Sequence, residues 1–267
     1  QSSRQDLSTS FKDGGRSATT GAGSHRLRGA LVVSEVALAV VLLVGAGLFT
    51  RSFARLMRVD PGFDYRNVLA FSSVGPRFQP ETLDEAFRQS EPYVMRMLEA
   101  VRRVPGVEAA AAVNGGLPLT GGWSNTSVRL PGGRRFTDLE GGIERRLVTP
   151  GYHQLLRVPL LRGRHLSESD RAGTQPVMVI NQAAARAYWP DQDALGQRVI
   201  VDDRELVVVG IVGDIRDFGP EAPVRREGYM PLSQGRSLGA VLVARTTGDP
   251  LRLLPAVKAA IWSVNND

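Results

Sequence analysis

The stretch RLRGALVVSEVALAVVLLVGAGLFTRSFARLMRVD, residues 26–60, decides the fold of this chain. Its centre, residues 29–50, contains a single charged side chain, Glu35. A bilayer core of roughly 30 Å needs about 20 helical residues to cross it. A cleaved signal peptide would have a shorter apolar core followed by a small-residue cleavage site, whereas here 28 residues precede the run and arginines follow it. Residues 29–50 are therefore predicted to form a transmembrane helix.

The helical pattern continues beyond this apolar run. Apolar side chains recur at three- to four-residue spacing as far as Val59, and Asp60-Pro61-Gly62 is typical of a helix end. We expect one helix from Leu27 to Val59, roughly 50 Å long at 1.5 Å per residue. Residues 51–60 would then emerge from the membrane as a stalk helix. The side chains expected to pack against a partner stalk are Phe49, Phe53 and Leu56.

Three residues within the predicted span indicate contact with other helices. Gly45 and Gly47 leave a smooth patch on which a neighbouring helix can approach closely. Glu35 is an ionisable group inside the apolar run, and such groups are often functional. Two readings of Glu35 remain open: a functional intramembrane acid, or a side chain that lies near the headgroups or hydrogen-bonds a neighbouring helix. We assign Glu35, Gly45 and Gly47 to membrane helix packing.

Residues 1–28 are rich in Ser, Thr, Gly and basic residues and are predicted to be a flexible linker. Five basic side chains precede the predicted span and four follow soon after it, so the positive-inside rule favours a cytoplasmic N-terminus by a narrow margin. The domain after the stalk would then be extracytoplasmic.

Composition excludes several classes of function. The chain has 267 residues and no cysteine, so disulfides, thiolate metal sites and a catalytic cysteine are ruled out. The net charge is +6, and all but two of the basic side chains are arginines, the lysines being Lys12 and Lys258. These arginines form no long block and no motif interleaved with aromatic residues, which argues against a nucleic-acid surface.

After the stalk, the pattern is that of an α+β domain of mixed α/β structure. A strand over residues 68–74, a helix over residues 82–104 and a strand over residues 107–113 form a strand–helix–strand unit. A strand over residues 240–245 and a helix over residues 250–264 resemble the start of a second such unit. The two could form one split sheet built from both ends of the domain. The expected boundaries are 61–119 and 236–267 for this split α/β subdomain and 120–235 for an inserted β-rich subdomain.

Single residues indicate where helices and turns begin and end within this outline. Pro92 disfavours an unbroken helix over residues 82–104, and a second helix that begins at Pro92 with Ser90 as its cap would accommodate it. In the insert, Asn181 is a candidate cap for a helix that Pro190 ends. Asp202-Asp203 is expected to be the turn of a hairpin between strands over residues 198–201 and 205–213.

No catalytic, cofactor-binding or metal-binding residue is assigned. The sequence has no phosphate-binding GxxxxGK[ST] loop, no GxGxxG after a strand and no GxSxG turn. His165 with Glu168 and Asp170 could make an acid–base or metal cluster, but the alternative is a solvated loop capped by Ser167 or Ser169. Asp214 and Asp217 flank Arg216 and could form local hydrogen bonds with it.

Several phrases together resemble the MacB/FtsX-like ABC exporter permeases, especially the duplicated orphan permeases of that group. The span and stalk over residues 26–69 are one such phrase. The others are RLVTPGYHQLLRVPLLRGRHLSESD, VMVINQAAARAYWPDQDALGQRV, ELVVVGIVGDIRDFG and EGYMPLSQ. The resemblance covers about residues 27–265, and the phrases follow one another in the family's order. His153 stands where an aromatic residue is usual, and His165 where an acid is common.

The resemblance implies a bacterial inner-membrane permease whose split porter-like and inserted sabre-like subdomains lie in the periplasm. It implies no enzyme activity and no cofactor in this chain, because ATP hydrolysis belongs to a separate ABC ATPase partner. Further implied partners are a second permease copy or half, forming a dimer or pseudo-dimer, and membrane lipid. The implied job is efflux or envelope transport in which ATP-driven motion is relayed through the stalk (mechanotransmission). Residues 1–28 resemble the linker into the second half of a duplicated permease.

Two other classes of function were weighed against this one. A single-pass membrane sensor or adaptor, binding an extracytoplasmic ligand or partner, needs only one helix and one domain. A membrane-anchored enzyme would need a pocket with convergent titratable groups, of which the sequence gives no sign.

Overall fold

A computed structural model describes residues 21–56, 59–72, 82–120, 124–137, 141–219 and 221–265. The chain divides into two compact units, residues 1–58 and residues 59–267. The strand predicted to end at Val74, the stalk positions 57–58 and most of the predicted linker therefore lie partly or wholly outside the described residues.

The first unit contains one long helix, α1, Gly21–Leu56. At 36 residues it is about 54 Å long. It starts earlier than predicted, so residues 21–28 of the expected linker are helical instead. Once an apolar run has nucleated a helix, each further residue adds one hydrogen bond, so the helix can extend beyond the apolar run. Within the described residues, one helix, Arg26–Leu56, is long and apolar enough to cross a membrane.

The second unit begins with the predicted strand–helix–strand unit. It consists of β1 (Val68–Ser72), α2 (Leu83–Arg102) and β2 (Val107–Asn114). The C-terminal pair is β12 (Val241–Thr246) and α5 (Pro250–Asn265). β12 lies between β1 and β2 and is antiparallel to both. The two ends of the domain thus form one sheet, which confirms the split α/β arrangement.

α2 is one continuous helix through Pro92, so the predicted break at Ser90 is wrong. Thr82 caps the helix instead, its hydroxyl accepting a hydrogen bond from Glu85 N at 3.2 Å. Pro92 removes one helical hydrogen bond. Burial of the apolar stripe on either side outweighs that loss and keeps the helix intact. The buried hydrophobic residues of this stripe are Ala86, Tyr93, Val94, Met97, Leu98 and Val101.

The middle of the chain adds short helices and the remaining strands of the described sheet. The helices are α3 (Tyr152–Leu155) and α4 (Gln182–Tyr188), and Leu232–Gln234 forms a 3-10 turn. The strands are β3 (Asn125–Thr126), β4 (Val128–Arg129), β5 (Arg135–Phe136), β6 (Ile143–Val148), β7 (Leu160–Gly163), β8 (Val177–Asn181), β9 (Arg198–Val201), β10 (Arg204–Val212) and β11 (Glu227–Pro231). The main path of the sheet runs β1-β12-β2-β6-β11-β8-β10-β9-β4-β5.

The split part and the middle part of the sheet are joined by a narrow seam. β2 and β6 share two aligned residue pairs, Val113 with Val148 and Asn114 with Leu147. The boundary between an insert and a split subdomain stays a prediction, since strand pairing runs continuously across it.

Two local predictions are confirmed. The Asn181 Oδ1 atom accepts a hydrogen bond from Ala184 N at 3.0 Å and caps α4. Asp202 and Asp203 have φ angles of 50° and 57° and join β9 to β10 as a two-residue hairpin turn. Positive φ at both positions gives a turn whose twist matches that of the strands.

Neighbouring residues of one strand point to opposite faces of the sheet, and this sheet has a hydrophobic cluster on each face. In β2, Ala110 and Ala112 belong to the cluster that covers α2 and α4. Ala111 and Val113 belong to the other cluster, which contains α3. Phe63 packs against this second cluster, so the chain entering the domain lies on the α3 face.

Candidate functional site

Residues 60–67, here called the docked segment, connect the end of α1 to β1. A tight turn opens the segment, in which Gly62 N donates to Asp60 Oδ1 at 2.9 Å. Gly62 has a φ of +82°, and a Cβ atom there would lie 2.0 Å from the carbonyl oxygen of Asp214. Glycine is therefore required for the backbone to approach the domain this closely.

Backbone hydrogen bonds attach the docked segment to separate parts of the domain. Arg216 N donates to Pro61 O at 2.9 Å, and Asp64 N donates to Leu156 O, just after α3, at 2.8 Å. At the far end, Thr246 N donates to Asn67 O at 2.8 Å. The segment is thus bonded to the loop after β10, to α3 and to β12.

Arg245, in β12, is 3% exposed, and its guanidinium group binds the docked segment. Its Nη1 donates to Arg66 O at 2.8 Å, and its Nη2 donates to Asp64 O at 2.6 Å. Its Nε donates to Leu155 O in α3 at 2.6 Å. A guanidinium has five donors in a fixed plane, which suits it to several carbonyl groups at once.

The carboxylate of Asp64 completes this attachment at the surface. Asp64 Oδ2 pairs with Arg157 Nη1 at 2.9 Å and lies 3.6 Å from Arg245 Nη1. The pKa of Asp64 is lowered, chiefly by the hydrogen bond from Arg66 N and further by the charges of Arg245 and Arg157. The carboxylate is therefore charged at neutral pH.

A second buried arginine, Arg146 in β6, organises what is here called the Arg146 cluster: Arg146, Asp217, Glu227 and Tyr229. Arg146 Nη2 lies 2.5 Å from Asp217 Oδ2 and 3.3 Å from Glu227 Oε1. Tyr229 OH donates to Glu227 Oε2 at 2.7 Å. Arg146 is 1% exposed, so this cluster is isolated from solvent.

The charges in the Arg146 cluster are unequal, with two carboxylates for one guanidinium. Burial raises the pKa of Glu227 to about 7, against the opposing effect of Arg146. Burial likewise raises the pKa of Asp217. For Arg146, burial alone would lower the pKa, but the two carboxylates outweigh it and hold it above its usual range. The cluster therefore reaches electrical balance when one carboxyl group, Glu227, keeps a proton.

The Arg146 cluster also bridges the narrow seam between β2 and β6. Arg146 Nη1 donates to the carbonyl oxygens of Gly115, at 2.8 Å, and Gly116, both just after β2. Leu119 N donates to Asp217 O at 2.8 Å. The arginine thus joins the loop after β2 to the loop after β10.

A pair of histidines lies beside this cluster on the α3 face. The rings of His153 and His165 are stacked with centroids 5.8 Å apart. His153 is 2% exposed, and its ring meets Tyr229 edge-to-face at 4.4 Å. The loop that contains His165 is held by the carboxylate of Asp170. Asp170 Oδ2 accepts a hydrogen bond from Ser167 N at 2.8 Å and pairs with Arg164 Nη1 at 2.7 Å.

The residues that the sequence singled out for packing all lie on α1. The side chain of Glu35 is exposed, and among the described residues no atom beyond the chain neighbours and the local backbone of α1 would lie within 4 Å of a Cβ built on Gly45 or Gly47. The Phe49 and Phe53 rings stack with centroids 6.4 Å apart. Phe53 is exposed and Leu56 is half-buried. Their roles in contacting partner helices stay predictions.

Sequence reasoning missed the partners of the buried charges. Asp217 was expected to bond locally around Arg216, whereas it pairs with Arg146, far away in the chain. One signal was present in β12, where Arg245 follows four apolar residues. A buried charge needs a partner, so Arg245 indicated a polar contact without identifying it. Arg146 gave no such signal, because β6 also contains Glu144 and Arg145.

The described residues contain no group of three or more His, Cys, Asp or Glu side chains that could hold a metal ion. The chemistry of this region is attachment: charged groups and carbonyls bind the docked segment to α3, β12 and the loop after β10.

Comparison with known proteins identifies relatives of this chain. A family model described as the MacB-like periplasmic core domain matches residues 30–259. The macrolide export ATP-binding/permease protein MacB of Aggregatibacter actinomycetemcomitans is 30% identical over 100 residues, which are 37% of this chain and 13% of that relative. The match thus spans a small part of the relative's length.

Solved structures also resemble the chain. The crystal structure of the periplasmic region of MacB from Actinobacillus actinomycetemcomitans aligns with a TM-score of 0.53 at 16% identity, covering 77% of this chain and 87% of that one. The extracellular domain of the noncanonic ABC-type transporter YknZ from Gram-positive bacteria aligns with a TM-score of 0.49 at 14% identity, covering 75% and 94%. The first alignment supports the same fold.

Proposed function

The chain belongs to the family of MacB-like periplasmic core domains, and from that membership we propose that it is part of the permease of an ABC-type exporter. Its domain would relay ATP-driven motion from the membrane to the periplasm for efflux or envelope transport. The chain itself would catalyse no reaction.

The observation that carries the proposal is the attachment of the docked segment. The segment follows α1 closely in the chain and is bonded to the loop after β10, to α3 and to β12. Gly62 lets it approach the domain at van der Waals distance. A displacement of the end of α1 would therefore pull on several elements at once rather than extend a loose linker.

The buried arginines support the transmission of that displacement. Arg245 joins α3 and the docked segment to β12, and Arg146 joins the loops on both sides of the β2–β6 seam. Close-packed interiors transmit strain, because their side chains have little free volume in which to yield. The domain would move as one body.

In this proposal α1 crosses the bacterial inner membrane with a cytoplasmic N-terminus and a periplasmic domain. Glu35, Gly45 and Gly47 would contact neighbouring membrane helices. Phe49, Phe53 and Leu56 would pack against the stalk of a second permease copy or half. Membrane lipid would surround the remaining face of the helix.

ATP hydrolysis would belong to a partner. The sequence lacks a phosphate-binding loop, so an ABC ATPase subunit would supply the energy. The relative from Aggregatibacter is named an ATP-binding/permease protein, so its name joins ATP binding and permease in one protein.

The first test is to purify the full-length native protein from membranes and identify what co-purifies. A stoichiometric ATPase, with ATP hydrolysis in the complex, supports the permease proposal. Recovery of the protein alone, with no ATPase, contradicts it and favours a single-pass sensor or adaptor.

The second test addresses the stalk. The double variant Phe53→Asp with Leu56→Asp should lower assembly or transport strongly, because it places two charges in the expected stalk interface. Ala54→Asp, on a different face of α1, is the matched control and should retain function. Normal transport by the double variant would reject the role of the stalk.

A further inference from the structure

The stacked pair of His153 and His165, here called the His pair, has two buried nitrogens without partners. Among the described residues, His153 Nε2 and His165 Nδ1 have no hydrogen-bond partner. The rings are nearly parallel, at 21°, and His153 also meets the Tyr229 ring at 81°. The two rings thus pack against each other and, through His153, against Tyr229.

A proton on either imidazole would be poorly tolerated here. His153 is 2% exposed, and a second imidazole stacks on its ring. Burial, together with the smaller effect of the nearby His165, lowers the pKa of His153 to about 3. Burial also lowers the pKa of His165. At neutral pH both rings are uncharged.

The charged groups around the His pair do not offset such a proton. On the His165 side, Arg164 donates to His165 O at 3.1 Å and is neutralised by Asp170. On β11, Glu227 is bound by Tyr229 and Arg146, and it takes up a proton as pH falls below about 7, so the Arg146 cluster has no excess negative charge in acid. Among the described residues, no carboxylate forms an ion pair with either imidazole, so protonation leaves a buried positive charge uncompensated.

Facing groups on the other elements are cationic or neutral. Tyr152 of α3 contacts His153 edge-to-face at 5.6 Å, and its hydroxyl has no hydrogen-bond partner among the described residues. On β12, Arg245 binds Leu155 O in the same helix, and its charge faces the Asp64 carboxylate at 3.6 Å. An added cation on α3 gains nothing from these neighbours.

α3 is also the element that binds the docked segment. Leu155 O accepts from Arg245 Nε, and Leu156 O accepts from Asp64 N. The carbonyl of His153 accepts from Val158 N at 2.9 Å, which closes the turn after α3. Displacing His153 from β11 therefore moves the carbonyls that hold the docked segment.

We propose that the His pair is an acid-sensitive switch that weakens the attachment of the docked segment when a proton enters it. In acid, α3 separates from Tyr229, its carbonyls shift, and residues 60–67 are held less firmly. The inference rests on the proposed function in one respect: loosening this segment regulates transport only if the segment relays motion.

Proton linkage determines the direction and the size of the shift between the attached and released states of the docked segment. The released state binds a proton near the usual histidine pKa, whereas the attached state resists it down to about pH 3. The equilibrium between attached and released states should therefore shift toward release as pH falls below about 6.5, by up to about 30-fold between about pH 7.5 and about pH 5.

The test is amide hydrogen exchange of the full chain in lipid nanodiscs at these two pH values, corrected for intrinsic exchange. The N–H groups of Asp64 and Thr246 should lose protection in acid by up to about 30-fold. The hairpin between β9 and β10 serves as the internal reference and should keep its protection. An unchanged protection of the docked segment in the wild type overturns the proposal.

Variants separate the His pair from other acid effects. His153→Phe keeps an aromatic ring against Tyr229 and cannot be protonated, so it should remove the acid response. His165→Gln, at a half-buried position, removes the second imidazole and should weaken the response if His153→Phe does not fold. Glu227→Gln should leave the response in place, because Glu227 lies on β11 rather than α3. A response that persists in His153→Phe contradicts the switch.

The two proposals fail in different ways. If exchange responds as expected but the Phe53→Asp, Leu56→Asp variant transports normally, the switch exists and the relay is wrong. If that variant loses transport but exchange is insensitive to pH, the relay stands and the switch is wrong.

Discussion

Arg245 and Arg146 are both almost fully buried, yet they bind different kinds of acceptor. Arg245 donates to three backbone carbonyls and has one carboxylate, Asp64, at 3.6 Å. Arg146 donates to two carbonyls and forms close ion pairs with Asp217 and Glu227. Arg245 attaches the entering chain, whereas Arg146 joins two loops across the seam of the sheet.

The difference decides how each region responds to pH. Carbonyl groups do not titrate, so neither Arg245 nor its acceptors change charge at moderate pH, and acid affects this attachment only through the proposed His pair. The Arg146 cluster holds one excess carboxylate, and a proton on Glu227 balances it. In a variant whose His pair cannot be protonated, such as His153→Phe, attachment of the docked segment by Arg245 should be constant, while the strength of the seam should still vary with pH.

Replacing Arg146 should have the largest effect. Arg146→Met leaves Asp217 and Glu227 buried without a cation, which should cost about 3–5 kcal/mol of unfolding free energy at about pH 8. The loss should shrink at about pH 5, because both orphaned carboxyl groups then take up protons. Chemical denaturation at both pH values measures it.

The neighbouring residue provides the control for that variant. Arg145 is in the same strand, and its ion pair with Asp202 is partly exposed, at 23% and 40%. Arg145→Met should cost at most about 1 kcal/mol at either pH. Equal losses for Arg146→Met at both pH values would contradict the charge imbalance.

Replacing Arg245 should have a somewhat smaller effect, which is independent of pH when the His pair cannot be protonated. In the His153→Phe background, Arg245→Met leaves three carbonyls without their donor and should cost about 3 kcal/mol at both pH values. Amide hydrogen exchange of the docked segment should become faster in Arg245→Met than in the parent protein. Arg157→Ala removes only the exposed partner of Asp64 and should cost at most about 1 kcal/mol. A docked segment that stays protected in Arg245→Met would show that Arg245 does not attach it.

Glu227→Gln isolates the titration itself. In the wild type, the folded pKa of about 7 exceeds the ordinary value of 4.5, so the folded state binds more protons between these values. Wild-type stability gains from this group as pH falls from about 7 to about 4.5, by up to about 3 kcal/mol, and loses it as pH rises again. Glutamine does not titrate, so the free-energy difference between variant and wild type should change by that amount. If this free-energy difference did not change with pH, the titrating proton would belong to a group other than Glu227.

Gly62→Ala should have the smallest effect of the series on global stability, about 1–3 kcal/mol. The added Cβ would meet Asp214 O, and the φ of +82° disfavours alanine. Gly248→Ala, where no atom lies within 4 Å of the new Cβ, should change stability by at most about 0.5 kcal/mol. Thermal denaturation of both variants checks the difference; equal melting temperatures would show that the segment tolerates the methyl group.

The sequence was informative wherever structure depends on near neighbours. The apolar run of α1, the Asn181 cap and the Asp202-Asp203 turn were predictable because their signals lie within a few residues. The split sheet was also predictable, since similar strand and helix patterns occur at both ends of the domain.

Long-range partners were not predictable in the same way. Arg146 and Asp217 are 71 residues apart, and Arg245 and Asp64 are 181 apart. No local pattern encodes such pairings. The continuity of α2 through Pro92 was missed for a related reason: burial against strands elsewhere in the chain decides it.

The most direct test of the relay breaks the chain's mechanical continuity without touching the attachment. Three glycines inserted between Val59 and Asp60 leave every bond of the docked segment available but let α1 move without pulling on it. The same insertion between Gly132 and Gly133, in the exposed turn between β4 and β5, is the control. Because the chain has no cysteine, Glu205→Cys accepts a single spin label on the domain.

The measurement is the ATP-dependent change in distance from that label to one in the second permease copy or half, in the assembled complex. The relay predicts that the insertion before Asp60 abolishes this change while ATP hydrolysis continues, and that the control insertion preserves it. A full ATP-dependent change with glycines before Asp60 would contradict the account.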